Sequence, residues 1–488
     1  ILAQGMLVPP ARIPTLDTTR MATQAGLSIL QTSESSQCGA RSIDAEAAGS
    51  SSTRTSSSSS SSGRNADERT PLVKDEVASS SSQSWMSWFG SRCFGPGMLV
   101  CLADTDAGCL IVAAQSGARW GYSLLLLQLI LIPILFLTQE LTARLGVYTK
   151  KGQTALIREH YGRGWAWFAC SLLVLECTLA MTSELSGVAA VGELWGLSRN
   201  ASIVMAGLVV AVVVLLCNYR QIEAVGVTLG LFELTFVVTM FAYHPSPVEV
   251  FKGSFKFYGD NEYVKLVAAN FGAVIMPWMI YFQQSAVVAR RLVTKEDLAE
   301  ERTQTLTGSI LTQLVMIGTL VTLAAAHTKG VNLQTVQDIT DAMVPVLGNF
   351  WSKALVSMGF IGGSLCAAFV VSLAASWAVC EAMALDIAHS LDEGPAKAPL
   401  FYGCFLAVVG IGMCVLLSGV SYVKLSVFIE SLDGALVPFA VGFLFLLSTG
   451  DALPEEARVV GMHKYVLGTI FSMCTILCLG TSMYGYLG

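Results

Sequence analysis

The chain runs to 488 residues, of which 53% are hydrophobic and only 13% charged. That balance excludes a water-soluble domain of this size and identifies a multi-span membrane protein. The formal net charge of −6 selects no partner, because several of the acids lie in the tail and loops, and no nucleic-acid role is expected.

Residues 1–90 are a different material from the rest. Serine dominates 50–62 and 79–84, and apolar residues are sparse. Such a segment buries too little surface to offset its ordering entropy, so a disordered cytoplasmic tail is expected. Within it, Glu68-Arg-Thr-Pro-Leu-Val73 resembles an acidic dileucine sorting signal, the alternative being an inert tail. The chain opens on Ile1, with Met6 or Met21 as the expected start, and no signal peptide is recognisable. Trp85, Trp88 and Phe89 then mark arrival at the membrane interface.

Residues 91–488 form the membrane domain. Eleven apolar stretches follow one another, each near the ~20 residues a spanning helix needs. They lie at 96–118, 121–143, 164–190, 199–218, 222–243, 264–289, 305–327, 352–386, 399–419, 423–448 and 463–487. The eighth is expected to run on as a cytoplasmic helix towards His389. With the N-terminus inside, thirteen Lys and Arg fall in inner loops and eight in outer ones. The N-terminus is therefore expected on the cytoplasmic side. The identity of the membrane, plasma or endosomal and vacuolar, is left open. Most of the thirteen cysteines lie inside apolar runs, Cys170, Cys177 and Cys404 among them, which fits packing rather than a disulfide framework.

Two spans break the rules of a membrane helix. The first holds Asp104, Asp106 and Gly108 within Cys101-Leu-Ala-Asp-Thr-Asp-Ala-Gly-Cys109. Each carboxylate at mid-membrane costs about 2.5–3.5 kcal/mol on insertion scales, and such residues mark ion paths or substrate sites. The alternative for either Asp is a helix cap or a salt-bridge partner. The sixth span holds Gly272 and Pro277 within Asn270-Phe-Gly-Ala-Val-Ile-Met-Pro-Trp278. Proline removes a backbone donor, so this helix is expected to break at 273–276, and the first at 107–109. Breaks five spans apart predict a five-plus-five inverted repeat with a site between them, and an eleventh helix outside the repeat.

The residues around these breaks resemble the NRAMP family of divalent-metal transporters. The likeness rests on Gly95-Pro-Gly97, Asp106-Ala-Gly-Cys109, Gln115-Ser-Gly-Ala118, Gly121-Tyr122, Gln139-Glu-Leu-Thr-Ala-Arg-Leu-Gly146 and Met276-Pro277. It implies an all-α, multi-pass, LeuT-like fold with helices one and six broken. It also implies a secondary transporter of a divalent cation resembling Mn²⁺ or Fe²⁺, with Mg²⁺ as a further candidate. The departures are local. The family's first motif, Asp-Pro-Gly-Asn, reads Asp106-Ala-Gly-Cys, and its sixth-helix motif, Met-Pro-His-Asn, reads Met276-Pro-Trp-Met. A third-helix acidic pair is reduced to Glu184, with Met181 at the other position, and Glu430 stands about where the family has a metal-binding glutamine.

The resemblance and the ligand chemistry together assign the cation to Asp106, Cys109, the carbonyl of Ala273, Met276 and Glu430. Carboxylate and carbonyl suit hard ions, whereas thioether and thiolate tilt the site towards softer first-row metals. Packing alone is the alternative for Cys109 and Met276. Asp104, Glu184, Trp278 and Gln283 are expected to serve coupling or to support the ligands. Asp433 is a further intramembrane acid; Glu140 lies at a boundary with Arg144 as a potential partner, and Glu381 and Asp386 are expected at the interface. Trp278 cannot titrate as histidine does, so weak proton coupling is expected, carried by Asp104 or Glu430. The expected partners are the metal, the bilayer and protons, with no resident cofactor. A LeuT-fold carrier of an amino acid or other small organic solute is the competing reading. An enzyme is not supported: HExxH, Gly-x-Ser-x-Gly and paired Cys-x-x-Cys motifs are absent.

Overall fold

Helix boundaries fall where a capping side chain, a glycine or a proline meets the edge of an apolar run. The computed structural model describes residues 95–326, 333, 335–385, 390–419 and 422–487. The serine-rich tail, the 68–73 motif, Trp85, Trp88 and Phe89, Asp386 and His389 lie outside the described residues.

The first span is two helices, α1 (Pro96–Ala103) and α2 (Ala107–Trp120), bent by 50° at their junction. Next come α3 (Leu125–Thr149), the short α4 (Gln153–Tyr161), α5 (Arg163–Leu194) and α6 (Arg199–Leu216). The fifth span is α7 (Tyr219–Gly230), a 3-10 turn at Leu231–Leu234 and α8 (Thr235–Ala242). A surface helix α9 (Pro247–Ser254) leads to the second divided span, α10 (Asn261–Gly272) and α11 (Pro277–Ala289). The rest are α12 (Lys295–Ala325), α13 (Val336–Leu347), α14 (Asn349–Ala382), α15 (Ser390–Glu393), α16 (Pro399–Leu417), α17 (Tyr422–Thr449) and α18 (Gly461–Leu487).

Among the described residues, ten stretches are each long and apolar enough to cross a bilayer, and the bent pair α1–α2 adds an eleventh when taken as one span. The architecture is the expected inverted repeat, α1 to α8 answering α10 to α17. Local sequence explains the ends. Thr294 and Thr335 form capping boxes with Asp297 and Asp338, each giving and receiving a backbone bond at the start of α12 and α13. That cap starts α12 ten residues before its apolar run. The helix α14 stops at Ala382, and Ala384 takes φ 64°, so the eighth span ends earlier than its apolar run suggests. Trp165 and Trp167 at one end of α5 and Trp195 at the other are exposed, as aromatic residues at two membrane boundaries are.

The long pair α5 and α14 pack along each other, and both divided spans lie against this frame. Glu140 is held by Arg144 at 2.8 Å and by Arg302 at 2.7 Å, so the structural-pair alternative applies to this acid. Glu381 departs from the expected interfacial position. It is buried, accepting from Ser285 Oγ at 2.6 Å and the Ala155 amide at 3.2 Å, because α4 folds back over the end of α14.

Candidate functional site

The first break is made by a cap. Asp106 takes an extended conformation and accepts the Cys109 amide on Oδ1 at 2.8 Å, which starts α2 at Ala107. The gap is therefore 104–106, three residues before the expected 107–109, because a capping carboxylate outweighs one glycine in setting a helix start. Ala107, whose amide would otherwise continue the helix from Ala103, donates to Glu184 Oε2 at 3.3 Å. Gly108 lies inside the first turn of α2 and has a packing role. A Cβ there would stand 2.0 Å from Glu430 Oε1.

The second break is made by a proline and falls at 273–276, as expected. In an unbroken helix residue 277 would bond the carbonyl of residue 273; Pro277 has no hydrogen to give. The Ala273 carbonyl is freed and accepts Cys109 Sγ at 3.0 Å. Trp278 turns its indole N–H to Met276 Sδ at 3.1 Å, while its backbone N–H goes to Glu176 Oε1 at 3.2 Å. Gly272 admits α17: a Cβ there would meet the Glu430 carbonyl oxygen at 1.8 Å.

The two breaks face each other across Asp106, Cys109 and Glu430, whose ligand atoms all lie within 4.8 Å of one another. Their exposures are 2%, 0% and 1%, so the cluster is closed to solvent on both sides. No Lys or Arg pairs with it among the described residues. Two charged carboxylates in a dry site without a counter-charge are strongly unfavourable, and a divalent cation would match their charge.

Asp106, Cys109, Ala273 and Glu430 are thus brought together. Met276 is buried at the same break with its sulfur turned to Trp278. Asp104 is fully buried and neither carboxylate oxygen has a hydrogen-bond partner. Glu184 secures the start of α2 from α5. Gln283 is engaged elsewhere, donating to Glu301 at 3.2 Å and Thr305 at 3.1 Å and accepting from Thr142 at 3.0 Å, so it ties α11 to α12 and α3. Two acids beside the breaks escaped the sequence reading and are fully buried: Glu176 on α5, which accepts the Trp278 amide, and Glu233 in the 3-10 turn, which accepts the Thr105 hydroxyl. Their signal was the one that singled out Asp106, an acid inside a span.

The sequence profile described as "Natural resistance-associated macrophage protein-like" matches residues 97–483. The chain belongs to that family. Among relatives, it is 27% identical over 316 residues to the divalent metal cation transporter MntH of Chromohalobacter salexigens, covering 62% of this chain and 73% of that one. It is 28% identical over 235 residues to the metal transporter Nramp3 of Oryza sativa subsp. japonica, covering 46% and 42%. The structure resembles the manganese transporter of Eremococcus coleocola with a TM-score of 0.66 at 17% identity, covering 85% of this chain and 89% of that one. It also resembles Mhp1, a nucleobase-cation-symport-1 family transporter, with a TM-score of 0.54 at 13% identity, covering 82% and 92%. At such identities these two likenesses speak for the fold alone, the broken-helix inverted repeat.

Proposed function

We propose that this protein is a secondary transporter that carries a divalent metal cation across a membrane by alternating access. The observation that carries this reading is the sealed cluster of Asp106, Cys109 and Glu430 where the two breaks meet. The family and the relatives named as divalent metal transporters support it. Asp106 and Glu430 supply two negative charges, the Ala273 carbonyl a neutral oxygen, and Cys109 and Met276 the sulfur donors. Such a mixed set favours Mn²⁺ or Fe²⁺ over Mg²⁺ and Ca²⁺. A closed cluster must open to each side in turn, and the half-helices α1 and α10 are the segments able to move separately from α2 and α11. The N-terminus is read as cytoplasmic from the distribution of basic loop residues.

The organic-solute alternative fits this site less well. An amino-acid carboxylate would meet Asp106 and Glu430, and like charges in a dry site repel strongly. Coupling to protons is read as weak, since Trp278 offers an indole donor where the family's motif has histidine.

The test is uptake by proteoliposomes of the full chain, with Mn²⁺, Mg²⁺ and Ca²⁺ side by side and internal pH recorded under a clamped membrane potential. Saturable Mn²⁺ uptake with little acidification is expected. Metal-independent uptake of an amino acid, with no metal-dependent heat in calorimetry, would reject the reading.

A further inference from the structure

A second set of oxygens lies on the far side of the first break. Thr105 sits in the gap between α1 and α2, and its carbonyl accepts no hydrogen bond among the described residues. Its hydroxyl donates to Glu233 Oε2. Glu233 is fully buried in the 3-10 turn that divides α7 from α8, and its other oxygen, Oε1, has no partner. A 3-10 interruption within a span often marks a functional position. The Thr105 carbonyl and Glu233 Oε1 converge on one spot, beside Gly363 of α14. A Cβ on Gly363 would lie 2.6 Å from the first and 3.1 Å from the second. Glycine there keeps the two oxygens uncovered.

We propose that the Thr105 carbonyl and the Glu233 carboxylate, beside Gly363, form a second cation site that takes an alkali cation such as Na⁺. The Thr105 hydroxyl accounts for one carboxylate oxygen and leaves the other directed at the freed carbonyl. A purely structural clamp would need only the first. The cradle is all oxygen, unlike the Asp106 cluster with its thiol, and hard donors select hard cations. One carboxylate in the cradle balances one positive charge. A backbone carbonyl released by a helix break is the kind of group that holds a coupling ion in this architecture. An ion there joins the first break to the fifth and eighth spans, so its arrival and loss would bias how α1 and α2 are set against that frame. This gives the transporter a driving ion that does not depend on a titrating histidine.

The experiment is equilibrium ²²Na⁺ binding to the purified full-length protein in choline buffer, with Mn²⁺ affinity measured by calorimetry in Na⁺-free buffer. Saturable binding of one Na⁺ per chain is expected, not displaced one for one by Mn²⁺. Glu233→Gln keeps a hydrogen-bond acceptor for Thr105 and removes the charge. It should weaken Na⁺ binding roughly tenfold or more and leave Mn²⁺ affinity within about twofold. Absence of saturable Na⁺ binding by the unmutated protein would overturn the proposal. So would equal binding by Glu233→Gln, or one-for-one displacement by Mn²⁺. Since Na⁺ binding is read without transport, failure of the metal-transport reading and failure of this site are told apart.

Discussion

The two breaks occupy equivalent places in the inverted repeat and are built by opposite means. The first has no proline; it is opened by Asp106, a charged cap, and is surrounded by Asp104, Glu184 and Glu233. The second carries no charged side chain between Ala273 and Trp278; it is opened by Pro277, and what it offers is backbone and sulfur. One break brings charge and the other brings a neutral oxygen released by a missing N–H. The comparison teaches that a broken helix can be specified electrostatically or sterically, and that each route leaves a different donor behind.

The charged break should be the more sensitive to mutation. Asp106→Asn retains an oxygen to cap α2 and removes only the charge. It should reduce metal uptake by about two to nearly four orders of magnitude, from the roughly 3–5 kcal/mol attached to breaking a buried charge pairing. Asp106→Ala should do the same to uptake and in addition lower stability by about 0.5–2 kcal/mol through loss of the cap. Radiolabelled Mn²⁺ uptake beside a thermal melt separates the two terms. Near-normal uptake by Asp106→Asn would mean that the first break does not act through its charge.

Gly108 tests the link between the first break and α17. A methyl group at 2.0 Å from Glu430 Oε1 must drive that carboxylate aside. The end of a Glu side chain can move, so Gly108→Ala should fold. Metal affinity should fall by about 1.5–3 kcal/mol, the range for losing one charged contact, or roughly ten- to a hundredfold. Calorimetry on the purified variant reads this directly, and unchanged affinity would remove Glu430 from the site.

At the neutral break the expected effect is smaller. Pro277→Ala restores the N–H that the Ala273 carbonyl lacks, and α11 can then extend backwards by a turn. The carbonyl would be consumed within the helix rather than shared with Cys109. Loss of one neutral contact is about 0.5–1.5 kcal/mol, so Mn²⁺ affinity should drop roughly three- to tenfold. A structure of the variant with 273–276 still unwound would show that packing against α17, not the proline, sets this break.

Much of this was legible in the sequence, and what was not has physical reasons. Pro277 and Gly272 located the second break to the residue, because a missing donor and a close approach leave compositional marks. The first break was displaced by three residues because the cap lies in the pairing of Asp106 with the Cys109 amide, which a glycine-weighted reading passes over. Hydropathy located the spans but not α4, α9 and α13, which are too short to span a bilayer, nor the capped start of α12. Glu233 and Glu176 sit in spans whose neighbours are otherwise apolar, and no motif drew attention to them. Gln283 was placed on the right helix, yet its partners on α12 and α3 come from sequence separations that one-dimensional reading does not connect.

The smallest effect is the most discriminating for the ion. Cys109 joins the two breaks: it lies on α2 and its sulfur donates to the Ala273 carbonyl. Cys109→Ser keeps a donor to that carbonyl and exchanges a soft donor atom for a hard one. The two charges of Asp106 and Glu430 are untouched, so Mg²⁺ affinity should stay within about twofold. A thiol contributes to softer ions specifically, and the preference for Mn²⁺ over Mg²⁺ should therefore fall by a few-fold, on the order of 1 kcal/mol. Cd²⁺, softer still, should lose more than Mn²⁺ in the same variant. Competitive calorimetry with Mn²⁺, Mg²⁺ and Cd²⁺ measures all three ratios on one preparation. If the ratios match those of the unmutated protein, Cys109 serves only to join the two breaks by its hydrogen bond, and selectivity rests with Met276.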